Sequence, residues 1–557
     1  MTAAAKAGAD EPVAAWRPRG ALARHLALDT PLATGIYWVA LFGYALALFI
    51  PELLPMVDYP QHVAMAEMAH RMADPAHPLN EGFSLNYFTY NGLFQWLVAQ
   101  MAAVMPAETA GRIVVGLSIV GLGGATLALL RTLDRPPVYA ALFVPALFAS
   151  PLAWGFTNYA LSIFLGAVAL VFICRTLKRP QWQGPLLVAA LGMLSGFTHV
   201  LGTLLLCVLG LAFSPEVAWR ATEGPTGRRL LSALGRMVLA LAPLLLGSAY
   251  CIAVYLEQYS WNPAVYTDPT MEGTGPGLLH RLVWFTAYAT GLHYDASDQI
   301  VLGCAILTGF FAVGLGIYAR RRGATGDHPL VLPFVAGLGI YLFIPMVFIG
   351  THIIFPRFGQ TAIFGLLFLL PRVTGEVGVA WQPRLRRVAL GLAGLAALNF
   401  VVHMKLFADE TDGLSRVIDE VPKGRRVTAV IHQPSTYAFR GGVLIHAAAY
   451  YGARTGGEYA FNFARYASVP LNFRPGTQPA WPQKGWEFFP QDYNPSCGYA
   501  RYYDVVILRA PEELADAPDA DLAALVFGDD AGRVTPLARE GRYAAFDSEG
   551  IPPDGTY

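Results

Sequence analysis

The chain has 557 residues, 55% of them hydrophobic and 14% charged, with a mean hydropathy of +0.42. A soluble protein carries about 25% charged residues, so most of this chain is expected to be dissolved in lipid. The formal net charge of +0 leaves no footprint for a nucleic-acid partner, and the five cysteines hold no CxxC spacing that would point to a disulfide framework or a zinc site.

Residues 1–32 are Ala-rich and carry Lys6, Arg17, Arg19 and Arg24. They read as a cytoplasmic tail ahead of an uncleaved first helix, because the apolar run 33–51 is about a full span long and ends at Pro51 without a small-residue cleavage site. Further spans are expected near 109–131, 137–151, 154–175, 184–198, 200–213, 230–256, 299–319, 329–350, 353–371 and 388–407, about eleven in all. The pair within 184–213 is short and reads as two spans or as a re-entrant hairpin. The apolar stretch 92–105 reads as an interfacial helix on the outer face, since counting it as a span breaks the alternation of loops.

Lys and Arg set the orientation. Arg131 and Arg135, then Arg175, Lys178 and Arg179, then Arg220, Arg228 and Arg229, then Arg320, Arg321 and Arg322, then Arg372, Arg384, Arg386 and Arg387 all fall on the side of the N-terminus. The positive-inside rule makes that side cytoplasmic and places the C-terminal region outside. Two outer loops are long, 52–108 and 257–298. The tail 408–557 gains Pro, Gly, Tyr and charge, and 427–431 and 504–508 read as buried strands. The expected fold is an α-helical polytopic membrane protein: tail 1–32, membrane domain 33–407, and a small extracytoplasmic mixed α/β domain over 408–557.

The residues suited to chemistry collect at the outer edge. Pro60 fits the first position of a helix, because it has no N–H to leave unpaired, and the run Gln61 to Met72 reads as a short interfacial helix. Asp58 precedes its N-terminus, where it either caps the helix or stands as a base beside a natural phosphate site. His62 is placed to orient Asp58, contact a phosphate or shuttle a proton. Glu67 is a candidate substrate contact, or else pairs with Arg71, four residues on, across one helix face. Arg357, an isolated cation at the outer end of an apolar run, either snorkels to headgroups or binds an anion with its planar fork; His352 is a candidate partner in binding that anion. Asn158 and His199 sit at the outer ends of spans, where polar groups line cavities or join helices. Arg281 and His293 lie in the second outer loop, as substrate contacts or interfacial anchors. In the tail, the stretches around His446 and Arg454 offer aromatic residues of the kind that stack on sugars. No P-loop, dinucleotide fingerprint, HExxH or GxSxG motif is present.

An acidic residue in the first outer loop, many spans and a C-terminal extracytoplasmic domain resemble the GT-C superfamily of integral-membrane glycosyltransferases, in particular a bacterial group of that type. The matching stretches are Asp58-Tyr59-Pro60-Gln61-His62, Tyr87 to Trp96 (YFTYNGLFQW), Gly155-Phe156-Thr157-Asn158-Tyr159, Pro356-Arg357-Phe358 and Val421 to Val427 (VPKGRRV). The resemblance implies an enzyme of the bacterial inner membrane. It would take a sugar from a polyprenyl-phosphate donor and pass it to a lipid, glycan or protein acceptor on the outer face. Asp58 matches the first-loop catalytic acid, and Arg357 would contact the donor phosphate. The usual adjacent acidic pair is absent, because Tyr59 follows Asp58; this weighs against a divalent-metal requirement, and no cofactor or metal ligand is assigned. The implied mechanism is a single inverting displacement with Asp58 as general base. The rival classes are a lipid-linked glycan transporter or flippase, a polysaccharide polymerase or ligase, and a non-catalytic envelope scaffold.

Overall fold

The computed structural model describes residues 25–89, 91–261, 275–323, 328–347, 353–466, 468–479 and 485–551. The helices that frame the site are α1 (Pro31–Ala47), α2 (Tyr59–Arg71), α3 (Leu93–Met101), α4 (Ala107–Thr132), α5 (Thr157–Lys178), α6 (Gln183–Thr198), α7 (Val200–Arg220), α8 (Thr226–Trp261), α9 (Ser297–Arg321), α10 (Leu332–Phe343), α11 (Gly359–Leu369), α12 (Gly375–Asp419) and α13 (Ala448–Thr455). Among the described residues six helices are long and apolar enough to cross a membrane: α4, α5, α7, α8, α9 and α12. Their exposed Leu, Val and Phe side chains, such as Val238, Leu246, Leu307 and Leu398, are what lipid contact requires.

The other expected spans are shorter helices. The stretch 137–151 departs most: Pro137–Ala146 is a 3-10 helix followed by the short helix Ser150–Ala153. Pro136, Pro137, Pro145 and Pro151 withdraw backbone donors there and break α-helical pairing. All ten residues of the 3-10 helix are buried, so this segment forms the centre of the bundle. Conversely α7 reaches Arg220, so the second arm of the expected short hairpin is long enough to cross. The stretch expected at 92–105 is the nine-residue helix α3.

The expected basic loops gather at one end of the bundle. Arg131 donates to the carbonyl of Ala27, Lys178 to Thr132, Arg236 to Leu177 and Lys178, and Arg220 to His328. At the other end, Arg112 of α4 donates to the carbonyls of Leu48 and Pro51 just beyond α1, supplying acceptors that a helix end leaves open with a donor.

The small C-terminal sheet domain has strands β2 (Val427–Ile431), β4 (Val505–Arg509), β5 (Thr535–Glu540) and β6 (Tyr543–Asp547) in the order β2-β4-β6-β5; β1 (Phe83–Leu85) and β3 (Leu471–Phe473) form a separate ribbon. β2 and β4 pair in parallel and every residue in both is buried, which is why both segments read as mainly apolar, interrupted only by Thr428 and Arg509. This domain is fastened to the segment that follows α1. β1 pairs antiparallel with β3, Gln61 donates to the carbonyl of Phe461 (3.0 Å) and accepts from the amide of Phe463 (3.2 Å), and the Tyr450 hydroxyl both accepts from and donates to the backbone of Leu54.

Candidate active site

Helix α2 begins as the sequence leads one to expect, with Pro60 in its first turn and Asp58 at the N-cap position. The Asp58 side chain makes no capping hydrogen bond. It turns instead to His446, whose Nε2 lies 3.4 Å from Asp58 Oδ1. The Nδ1 of the same imidazole lies 3.4 Å from Glu487 Oε2. The imidazole is buried, and the two carboxylates retain 16% and 14% exposure. Burial opposes a charge on His446, but its close contacts with the Asp58 and Glu487 carboxylates outweigh it and push the ring up to about 9. At neutral pH it is an imidazolium between two acids.

Backbone packing fixes this geometry. Asp58 N–H donates to the carbonyl of Trp154 (3.0 Å), and the following residue that faces it is Gly155 at φ +79°. A Cβ on Gly155 would stand 2.5 Å from the backbone nitrogens of both Asp58 and Tyr59, so only glycine permits this approach. On the other side Trp486, beside Glu487, is buried against Phe461 and Tyr499 and donates Nε1–H to Thr428 of β2.

His62 is held by a polar chain whose orientation is dictated from one end. The Phe94 amide can only donate, so it selects Asn158 Oδ1 (3.0 Å). Asn158 Nδ2 then donates to Gln95 Oε1 (2.9 Å), and Gln95 Nε2 to His62 Nδ1 (2.7 Å). The proton of a neutral His62 therefore sits on Nε2. Burial pushes His62 down to about 4, with Asp58 opposing and His446 adding to the effect. His62 is thus a neutral hydrogen-bond donor, and Phe463 packs edge-on against both it and His446.

Arg357 lies in a 3-10 turn (Phe355–Phe358) immediately before α11 and is buried. Its guanidinium rests 3.7 Å from the ring centre of Phe156, Nε donates to the carbonyl of Ile353 (3.0 Å), and Nη1 lies 3.3 Å from His199 Nε2. Tyr159 donates to the Arg357 carbonyl and packs on His199. The charges of Asp58 and Arg357 are close enough to act on each other. One group thus unites Asp58, His62, Asn158, His199 and Arg357 from four separated stretches of sequence.

Other expected residues go elsewhere. Glu67 pairs with Arg71 at 2.8 Å on α2. Arg281 donates to the carbonyls of Pro276, Tyr341 and Leu342 and covers Phe355, and none of these partners belongs to the Asp58 group. His352 lies outside the described residues. Sequence reasoning missed the pairing of His446 and the part of Glu487 altogether. Gln95 and Gly155 stood in the quoted stretches, but without a role.

The chain is similar in structure to ArnT from Cupriavidus metallidurans in the apo state, at 14% sequence identity over 93% of this chain and 98% of that one, with a TM-score of 0.47. The crystal structure of the same ArnT bound to undecaprenyl phosphate gives 12% identity, 94% and 99% coverage and a TM-score of 0.48. No family model and no curated protein sequence matches the chain.

Proposed function

We propose that the chain is a multi-pass membrane glycosyltransferase that moves a sugar from a polyprenyl-phosphate donor to an acceptor hydroxyl at the extracytoplasmic face. The observation that carries this reading is the Asp58 carboxylate, withdrawn from capping α2 and held through Oδ1 by the buried His446–Glu487 pair. With Oδ1 held, Oδ2 is the oxygen left to take a proton. As the acceptor oxygen attacks the anomeric carbon, its proton passes to Asp58 and the bond from sugar to phosphate oxygen breaks, inverting the centre. His446, already protonated, is the orienting group and not the base. Arg357 receives the negative charge that gathers on the departing lipid phosphate.

One further feature supports the sidedness of this reading. The basic cluster at the opposite end of the bundle supports a cytoplasmic placement for that end, with Asp58 and the C-terminal domain outside. The test is turnover of a panel of radiolabelled polyprenyl-phosphate sugars by the purified chain in bacterial lipid extract with acceptors supplied. Release of polyprenyl phosphate from one donor supports the reading. Failure of the folded protein to consume any donor would turn the assignment toward a lipid-linked glycan transporter or an envelope scaffold.

A further inference from the structure

His199 has more donors aimed at it than its ring can accept from. It follows the last residue of α6 and stands at the N-cap of α7 with an extended backbone (φ −166°, ψ 123°). Its Nδ1 accepts from the amide of Leu201 at 3.2 Å, which satisfies one of the amides that a helix start leaves open. Capping alone is served best by Asn, Asp, Ser or Thr. An imidazole differs from these in what it keeps on the far edge of the ring. With Nδ1 accepting, the proton of the neutral ring is on Nε2.

That N–H faces a second donor. Arg357 Nη1 lies 3.3 Å from His199 Nε2, and a guanidinium can only donate. The neutral ring has one in-plane lone pair, yet the Leu201 amide addresses one of its nitrogens and Arg357 the other. A second proton on the ring removes that lone pair and sets another cation beside Arg357. An anion resolves the conflict. Its oxygens accept from Nε2–H and from Nη1–H, while Nδ1 keeps the cap.

The pair is held ready for such a guest. His199 is 8% exposed and Arg357 6%, so an anion there meets donors already stripped of water. Tyr159 packs edge-on against the imidazole, ring centres 5.3 Å apart, and donates to the Arg357 carbonyl at 3.0 Å. Phe156 carries the guanidinium on its face. The ring also stands at the positive end of the 21-residue helix α7, which favours an anion. The charge of Asp58 is felt at Arg357, so the anion would lie beside the proposed base.

We infer that His199 Nε2–H is a second donor to the phosphate of the lipid-linked substrate, seating it together with Arg357. The imidazole joins two tasks: one nitrogen starts α7 and the other reads the phosphate. It thereby separates a phosphorylated polyprenyl lipid from the uncharged alcohol of the same tail. This inference rests on the donor class proposed above.

The test measures equilibrium binding of radiolabelled polyprenyl phosphate, and of polyprenol with the same tail, to the full chain in detergent. The wild type is expected to bind the phosphate form more tightly. His199→Asn replaces Nδ1 with another good cap, so α7 keeps its start, but its short side chain withdraws from Arg357. Polyprenyl phosphate affinity should fall about tenfold or more, the scale of one hydrogen bond to a charged group, with polyprenol affinity unchanged. His199→Gln, whose amide reaches as far as Nε2, should regain most of that loss. Phosphate-lipid binding by His199→Asn at the wild-type level would overturn the inference and leave His199 as a plain acceptor from Arg357. So would an equal loss for both lipids, which would mean that the ring acts through packing. A wild type that does not prefer the phosphate form would bring down the donor class itself, and this inference with it.

Discussion

Asp58 Oδ1 and His446 Nε2 lie 3.4 Å apart, the first on the loop after the first helix and the second in the C-terminal domain. This contact makes the tail part of the site. Replacing His446 by Ala leaves Asp58 without its orienting partner and Glu487 buried without its cation. Transfer should fall about 10–100-fold in kcat, with donor KM nearly unchanged, because the histidine acts through Asp58. Glu487→Gln should fall less, since a neutral amide still accepts from Nδ1. Steady-state kinetics of both variants check this; an Ala variant with wild-type kcat contradicts it.

The pH dependence follows from the same contact. The folded His446 titrates near 9, above its ordinary 6.5. Its pairing therefore contributes stability that is complete below about 6.5 and is lost as pH rises through about 9. Thermal midpoints in detergent across this window should fall for the wild type relative to His446→Gln. A constant difference between the two chains would mean that the ring does not titrate there.

Gly155 is the position where one methyl group should matter most. In Gly155→Ala the new Cβ would enter the space of the Asp58 and Tyr59 backbone and hold a left-handed φ. The expected cost is about 1–3 kcal/mol from overpacking, with transfer lost beyond what the lower midpoint explains. Unchanged activity would show that the Asp58 backbone does not need this approach.

Arg357→Lys preserves charge but removes the planar fork and its seat on Phe156. Loss of one charged hydrogen bond to the donor, about 1.5–3 kcal/mol, predicts a donor KM at least tenfold higher. Varying donor concentration at saturating acceptor measures it.

Gln61 bridges residues 400 positions apart in the chain, with its amide satisfied at both ends. Gln61→Leu takes away the side-chain partner of the Phe463 amide, at about 1–3 kcal/mol. Hydrogen exchange at the Phe463 amide should quicken while exchange within α5 stays as it was.

Local patterns were legible where neighbours in sequence decide the outcome. Pro60 opens α2, Glu67 meets Arg71 across one helical turn, and the apolar run 427–431 is β2. Asp58 was legible as a choice between cap and base, and its side chain makes no capping bond. The stretch 137–151 misled because hydropathy registers burial in protein and burial in lipid alike; its prolines were the signal against a regular helix. His446 and Glu487 could not be read, since only tertiary packing of a distant domain brings them to Asp58. Asn158 looked like one more polar residue at a helix end, because the chain from Phe94 through Gln95 to His62 that gives it purpose exists only in three dimensions.

The most direct measurement is a single-turnover transfer assay on Asp58→Asn, with the labelled polyprenyl-phosphate sugar that the wild type consumes pre-bound at equal occupancy in both chains. Loss of the general base predicts a rate lower by about 10²–10⁴, with donor binding retained. Transfer by Asp58→Asn at the wild-type rate would contradict the account at its centre.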